Sequence, residues 1–160
     1  MLAGRFGNTS GRPYIEGRLV IPRLNISADL SFLVDTGADS TYLMPGEVAR
    51  IGIDYGSLRP ASVQTYGVGG VTTNFSERCL VAFADRNHVY VYERTLQIAP
   101  FDETLMRLPA LLGRDIIDNW RLTYHPRRAL LRASVGEADV VIPLTDGSEY
   151  RPGAAGFRHT

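Results

Sequence analysis

The 160-residue chain has one cysteine, three histidines, no net charge and no long apolar run, and each shortage removes a class of function. Cys79 has no partner for an internal disulfide. It sits in the apolar stretch Cys79–Phe83, where it reads as a small buried hydrophobe. One cysteine with His88, His125 and His159 scattered along the chain does not assemble a closed metal site, so neither a metal nor a cofactor is expected. Basic and acidic residues balance at 17 each, which gives no global attraction to nucleic acid or to an anionic membrane, and neither is expected as a partner. No apolar run approaches the roughly 18 residues of a membrane span, and Met1 to Arg12 holds none of signal-peptide length. The expectation is a soluble, cytoplasmic protein.

Repeats, low-complexity blocks and internal linkers are also lacking, so the length and the 44% of hydrophobic residues imply a single core. Residues 1–12 and 146–160 are rich in Gly, Ser, Asn or Pro and are expected to be a flexible arm and a flexible tail around one domain at 13–145. Within it the pattern is mostly strand. Tyr14–Ile21 and Asn25–Val34 alternate apolar and polar residues, and Ser62–Tyr66, Thr72–Phe83 and His88–Ile98 continue the pattern. Pro45 opens a short helix spanning Met44 to Ile51 and ending before Gly52; a second should run from Arg114 to Asn119. Leu122–Tyr124 and Ala129–Arg132 form a candidate hairpin, and Val140–Ile142 a last edge or dimer-interface strand.

What stands out against this background is Asp35-Thr36-Gly37-Ala38-Asp39, which follows the apolar run Phe32-Leu33-Val34 and occurs once. The acid stands at the end of a buried strand, a rigid platform for a reactive group. Gly37 leaves room for close approach of a substrate backbone or a second loop, and Thr36 carries a hydroxyl that can lock the turn. Peptide hydrolysis by paired aspartates needs two carboxylates sharing one proton, because charges roughly 3 Å apart cannot both ionise. One loop supplies one carboxylate. The partner must come from a second copy, since Asp146-Gly147-Ser148 lacks a preceding apolar run and reads as a turn.

Two further segments accompany the loop: the glycine-rich Thr65-Tyr66-Gly67-Val68-Gly69-Gly70 between strand-like runs, and Leu111-Leu112-Gly113-Arg114-Asp115. In this order the three motifs resemble the retropepsin-like aspartic peptidases, over a span from about Pro13 to about Leu144. The resemblance implies an all-β, single-domain closed barrel with a flap hairpin and one or two short helices. It also implies an aspartic endopeptidase that works as a homodimer on protein or peptide substrates.

Roles follow from the resemblance position by position. Asp35 would be the catalytic acid, paired with Asp35 of a second subunit. Thr36 would lock the two loops across the dimer axis, and Gly37 with Asp39 would contact the substrate backbone. Ala38, Val68 and Leu111 would form apolar subsite walls. Gly67, Gly69 and Gly70 would make the flap tip mobile, with Tyr66 either orienting the flap through its hydroxyl or stacking in the core. Gly113 and Arg114 would support the loop, Arg114 by an ion pair with Asp39 that is either a surface contact or a partly buried bidentate one. The chain departs from the retroviral pattern by continuing about forty residues past Arg114, so its dimer interface can be built differently. A catalytically silent peptide-binding or regulatory module of the same fold is the alternative.

Overall fold

The alternation read in the sequence becomes a set of long strands with one face turned inward. A computed structural model describes residues 1–67 and 70–145. In chain order its elements are β1 (Leu2–Ala3), β2 (Arg5–Phe6), β3 (Pro13–Ile21), β4 (Ile26–Val34), β5 (Tyr42–Leu43), α1 (Pro45–Ile51), β6 (Pro60–Gly67) and β7 (Gly70–Ala84). They continue with β8 (His88–Ile98), β9 (Leu111–Leu112), α2 (Arg114–Ile117), β10 (Trp120–His125), β11 (Leu130–Val135) and β12 (Val140–Pro143). Along β3 the buried positions Ile15, Gly17, Leu19 and Ile21 fall on every second residue, the period of a strand with one inward face.

The pairings close a ring. β3 pairs antiparallel with β4 and β7, β7 antiparallel with β8, β8 parallel with β5, β5 antiparallel with β9, and β9 parallel with β4. Around this ring β6 extends the sheet as the partner of β7, and β12 lies along β8 with Val140 opposite Val91. The expected last strand is therefore a sheet edge, and Val140, Val141 and Ile142 are about half exposed on it. A separate three-stranded sheet runs in the order β1-β11-β10.

Inside, Phe32, Phe83, Tyr92 and Trp120 make an aromatic cluster, with Phe83 and Trp120 edge to face at 5.0 Å between centroids. Its two polar tips are satisfied: Trp120 Nε1 donates to Tyr92 Oη at 2.7 Å, and Tyr92 Oη donates to the Glu137 carbonyl at 2.9 Å. The hairpin β10–β11 bears Trp120 and thereby fastens the second sheet to the first.

Three expectations change. The first residues are not a loose arm throughout: Leu2 is buried and pairs with Ala133, while Arg5 pairs with Tyr14, because the free edges of β11 and β3 offer ladder partners to an otherwise polar segment. The second helix stops at Ile117 rather than Asn119. Asn119 Nδ2 donates back to the Ile116 carbonyl, and its own carbonyl is taken by the Gly136 N–H at 2.8 Å. The pair Leu111–Leu112, singled out in the sequence as part of a motif but not as a strand, is a strand in its own right. The expected tail at 146–160 lies outside the described residues.

Candidate active site

Asp35 begins where β4 ends, and the chain returns seven residues later as β5. Between these two strands sits β9, parallel to β4 with Leu33 opposite Leu111 and antiparallel to β5 with Tyr42 opposite Leu111. Both feet of the Asp35 loop are thus sewn to one distant dipeptide. Leu33 N–H donates to the Ala110 carbonyl at 2.8 Å and Asp35 N–H to the Leu112 carbonyl at 3.0 Å.

The loop is then stitched to the start of α2. Arg114 N–H donates to the Ala38 carbonyl at 2.8 Å and Asp115 N–H to the Asp39 carbonyl at 3.1 Å. Thr41, fully buried, donates its hydroxyl to Asp115 Oδ1 at 2.8 Å and accepts from Gly113 N–H at 3.3 Å. Gly113 is needed for space: an added Cβ would lie 2.2 Å from the Ser40 carbonyl oxygen. Its backbone, at φ −92° and ψ 177°, is one that any residue adopts.

Within the loop the Asp35 carboxylate is turned inward locally, with Oδ1 accepting from Gly37 N–H at 2.9 Å. Asp35 is half-buried, while Thr36 and Gly37 are exposed beside it. The expected Arg114–Asp39 ion pair forms, but as a surface contact through one guanidinium nitrogen, with the Asp39 side chain 82% exposed. It is not the buried bidentate clamp that was the other possibility. The hydrogen bond to Asp39 raises the affinity of the Arg114 guanidinium for its proton. The loop is positioned chiefly by main-chain bonds and by Thr41, which solvent screens far less.

A cavity of about 490 Å³ opens over the loop. Asp35, Gly37, Ala38, Asp39, Gly70 and Leu111 line it, as do Tyr42, Met44, Thr72, Asn74, Ala99, Asp102 and Leu105. Six of the residues singled out in the sequence therefore share one cleft wall. Gly67 lies in β6 opposite Gly70 at the head of the β6–β7 hairpin. Val68 and Gly69, expected as the tip, lie outside the described residues, as does the side chain of Tyr66. Gly113 and Arg114 stand behind the loop rather than in the cleft.

Several contributors had no signal in the sequence. Buried Asn74, on β7, donates to Tyr42 Oη at 3.3 Å and ties the hairpin strand to β5. Thr41 follows the loop motif directly, and its hydroxyl type was the one available hint. Among the described residues no cluster of side chains suited to a metal ion occurs, and no helix is long and apolar enough to cross a membrane.

Comparison with known proteins rests on structure, since no family model and no curated protein sequence matches the chain. A retropepsin-like aspartic protease from Rickettsia conorii superposes with a TM-score of 0.54 at 16% identity, covering 90% of this chain and 92% of that one. The fold is retropepsin-like. An inhibitor-bound protease of EIAV is also similar, with a TM-score of 0.47 at 23% identity over 70% of this chain and 90% of its own. In this retropepsin-like fold the Asp35 loop and Gly70 and Thr72 of the β6–β7 hairpin line the same cleft.

Proposed function

We propose that the chain is an aspartic endopeptidase that acts as a homodimer, with Asp35 of each copy contributing to one shared site. The observation that carries this reading is a half-buried Asp35, followed by exposed Thr36 and Gly37, at the end of a buried strand and in the wall of a cleft. The loop is anchored on its inner side by β9 and α2, and its outer side is free to meet a second copy.

In such a dimer one carboxylate takes a proton from a water molecule as that water attacks the scissile carbonyl carbon. The other carboxylate, protonated, hydrogen-bonds the carbonyl oxygen and offsets the charge that develops there. Gly37 and Asp39 line the path of the peptide backbone, and Ala38 and Leu111 supply small and apolar walls. The β6–β7 hairpin, with Gly67 paired to Gly70 at its head, closes over the peptide and excludes water.

The test is assembly together with chemistry. Asp35→Asn should abolish cleavage of a peptide library while leaving the melting temperature near that of the parent. Specific activity of the parent should fall on dilution, and excess Asp35→Asn chains should inhibit it by forming mixed dimers. A concentration-independent monomer that cleaves peptides, or full activity in Asp35→Asn, would refute the shared site. A chain that binds peptides without cleaving them would mark the silent module instead.

A further inference from the structure

The lining of the cleft over the Asp35 loop also holds a carboxylate that the peptidase reading does not use, Asp102. Asp102 precedes a short 3₁₀ turn, Glu103–Leu105, and its Oδ1 accepts both the Thr104 N–H at 2.8 Å and the Thr104 hydroxyl at 2.7 Å. The turn is set firmly in place. An added Cβ on Gly46 of α1 would lie 2.1 Å from the Met106 carbonyl oxygen, so helix and turn are in backbone contact there. Both Thr104 bonds fall on Oδ1, so neither occupies Oδ2.

We propose that Asp102 is a specificity-determining residue, selecting peptide substrates that lay an arginine or lysine side chain along the wall formed by Met44, Ala99 and Leu105. This rests on the peptide-cleft reading above. Met44 and Ala99 are buried apolar residues and Leu105 is half-buried, so together they offer a surface for the methylene stem of such a side chain. Asp102 stands on the same lining and meets the cationic head. Its charge is available: hydrogen bonding from the Thr104 hydroxyl and then from its N–H holds the carboxyl below the ordinary range, and no cation is ion-paired with it among the described residues. Asp39, the other exposed carboxylate of this lining, is already engaged by Arg114. An uncharged polar side chain would gain the stem contact without the ion pair.

Paired peptides test this, one carrying arginine and the other citrulline, its uncharged near-isostere, at each successive position around one apolar scissile bond. Binding is measured to the full-length Asp35→Asn chain by fluorescence anisotropy, and kcat/KM on the parent. At one position arginine should be favoured about fivefold, the scale of a single solvent-accessible ion pair, and the preference should shrink with added salt. In Asp102→Asn the ratio should fall to about one. Asparagine keeps the oxygen that caps Thr104, so the turn survives the change. Cleavage by the parent with a ratio near one at every position would overturn the assignment and leave the peptidase reading standing. A preference that persists in Asp102→Asn would also overturn it, by moving recognition to another residue. Absence of both binding and cleavage for every peptide would remove the peptidase reading and this inference with it.

Discussion

The contact between Gly113 and Ser40 is the tightest test of how the Asp35 loop is held. In Gly113→Ala the new methyl carbon would begin 2.2 Å from the Ser40 carbonyl oxygen and 2.3 Å from its carbonyl carbon. Ordinary contact between non-bonded heavy atoms is roughly 3.5 Å, so relief needs a movement of about 1 Å or more. No flexible side chain can give way, because the clashing atoms are backbone. Nor can the movement spread easily along the chain, since Asp35 N–H is tied to the Leu112 carbonyl and Thr41 is fixed to Asp115 and Gly113 itself. The strain should cost about 1 to 3 kcal/mol, the usual range for overpacking. For a domain of this size that is a drop of roughly 3 to 10 °C in melting temperature. A displacement of about 1 Å in a group that positions a reacting carboxylate should lower kcat/KM on the order of a hundredfold. Differential scanning calorimetry and peptide cleavage on the same preparation measure both. Because the Gly113 backbone is in an ordinary extended region, alanine adds no dihedral penalty, and a variant that melts and cleaves like the parent would refute the close approach itself.

Other changes probe different supports of the structure. Thr41→Val keeps the shape but strands the Gly113 N–H and one lone pair of Asp115 in a buried site, and should cost about 1 to 3 kcal/mol by urea unfolding. Glu77 is buried on β7; bonding to the Arg23 guanidinium holds its carboxyl below the usual range against the opposing effect of burial. The folded value is thus the lower one, so the contribution is complete above the unfolded value near about 4.3 and is lost as pH falls below it. Urea titrations between neutral and strongly acid pH should show Glu77→Gln with a flatter acid limb than the parent; equal slopes would deny the linkage. Ala129 has φ 48°, a left-handed conformation that asparagine tolerates better, so Ala129→Asn should stabilise by about 0.5 kcal/mol in thermal melts. Its counterpart Asn25 closes the β3–β4 turn in the same way at φ 53°.

The parts legible in the sequence are those written locally. β3, β4, β7 and β8 show period-two alternation, and Pro45 and Gly52 bracket α1, so their positions needed no partner to be seen. The Asp35 loop is likewise a contiguous string after an apolar strand. The missed features share a dependence on distant contacts. Leu111–Leu112 is too short to signal a strand, and it becomes one only because it lies between β4 and β5. Leu2 looks like part of a polar arm until the edge of β11 is present to receive it. Thr41, Asn74 and Glu77 are polar residues whose burial is permitted by Asp115 and Gly113, by Tyr42 and by Arg23, each at least 32 positions away. Asp102 reads in the sequence as an acid in a loop, and only the fold turns it towards the cleft.

The way the loop is anchored bears on how a single-motif chain can build a two-carboxylate site. A shared site on a twofold axis requires each copy to present its aspartate in the same place before the copies meet, because any looseness is doubled when two loops must align. In this chain that placement comes from inside the subunit: main-chain bonds from Ala38 and Asp39 to α2, from Asp35 to β9, and a buried threonine hydroxyl between them. The Arg114–Asp39 pair lies outside this set and is open to water, so salt weakens it without releasing the loop. Thr36 and Gly37, by contrast, are exposed, and the main-chain bonds that tie the loop to β9 and α2 come from Asp35, Ala38 and Asp39. Support and exposed surface are therefore carried by different residues, which lets the subunit fold with Asp35 already in position and leaves Thr36 and Gly37 free for the second copy that the proposed peptidase would require.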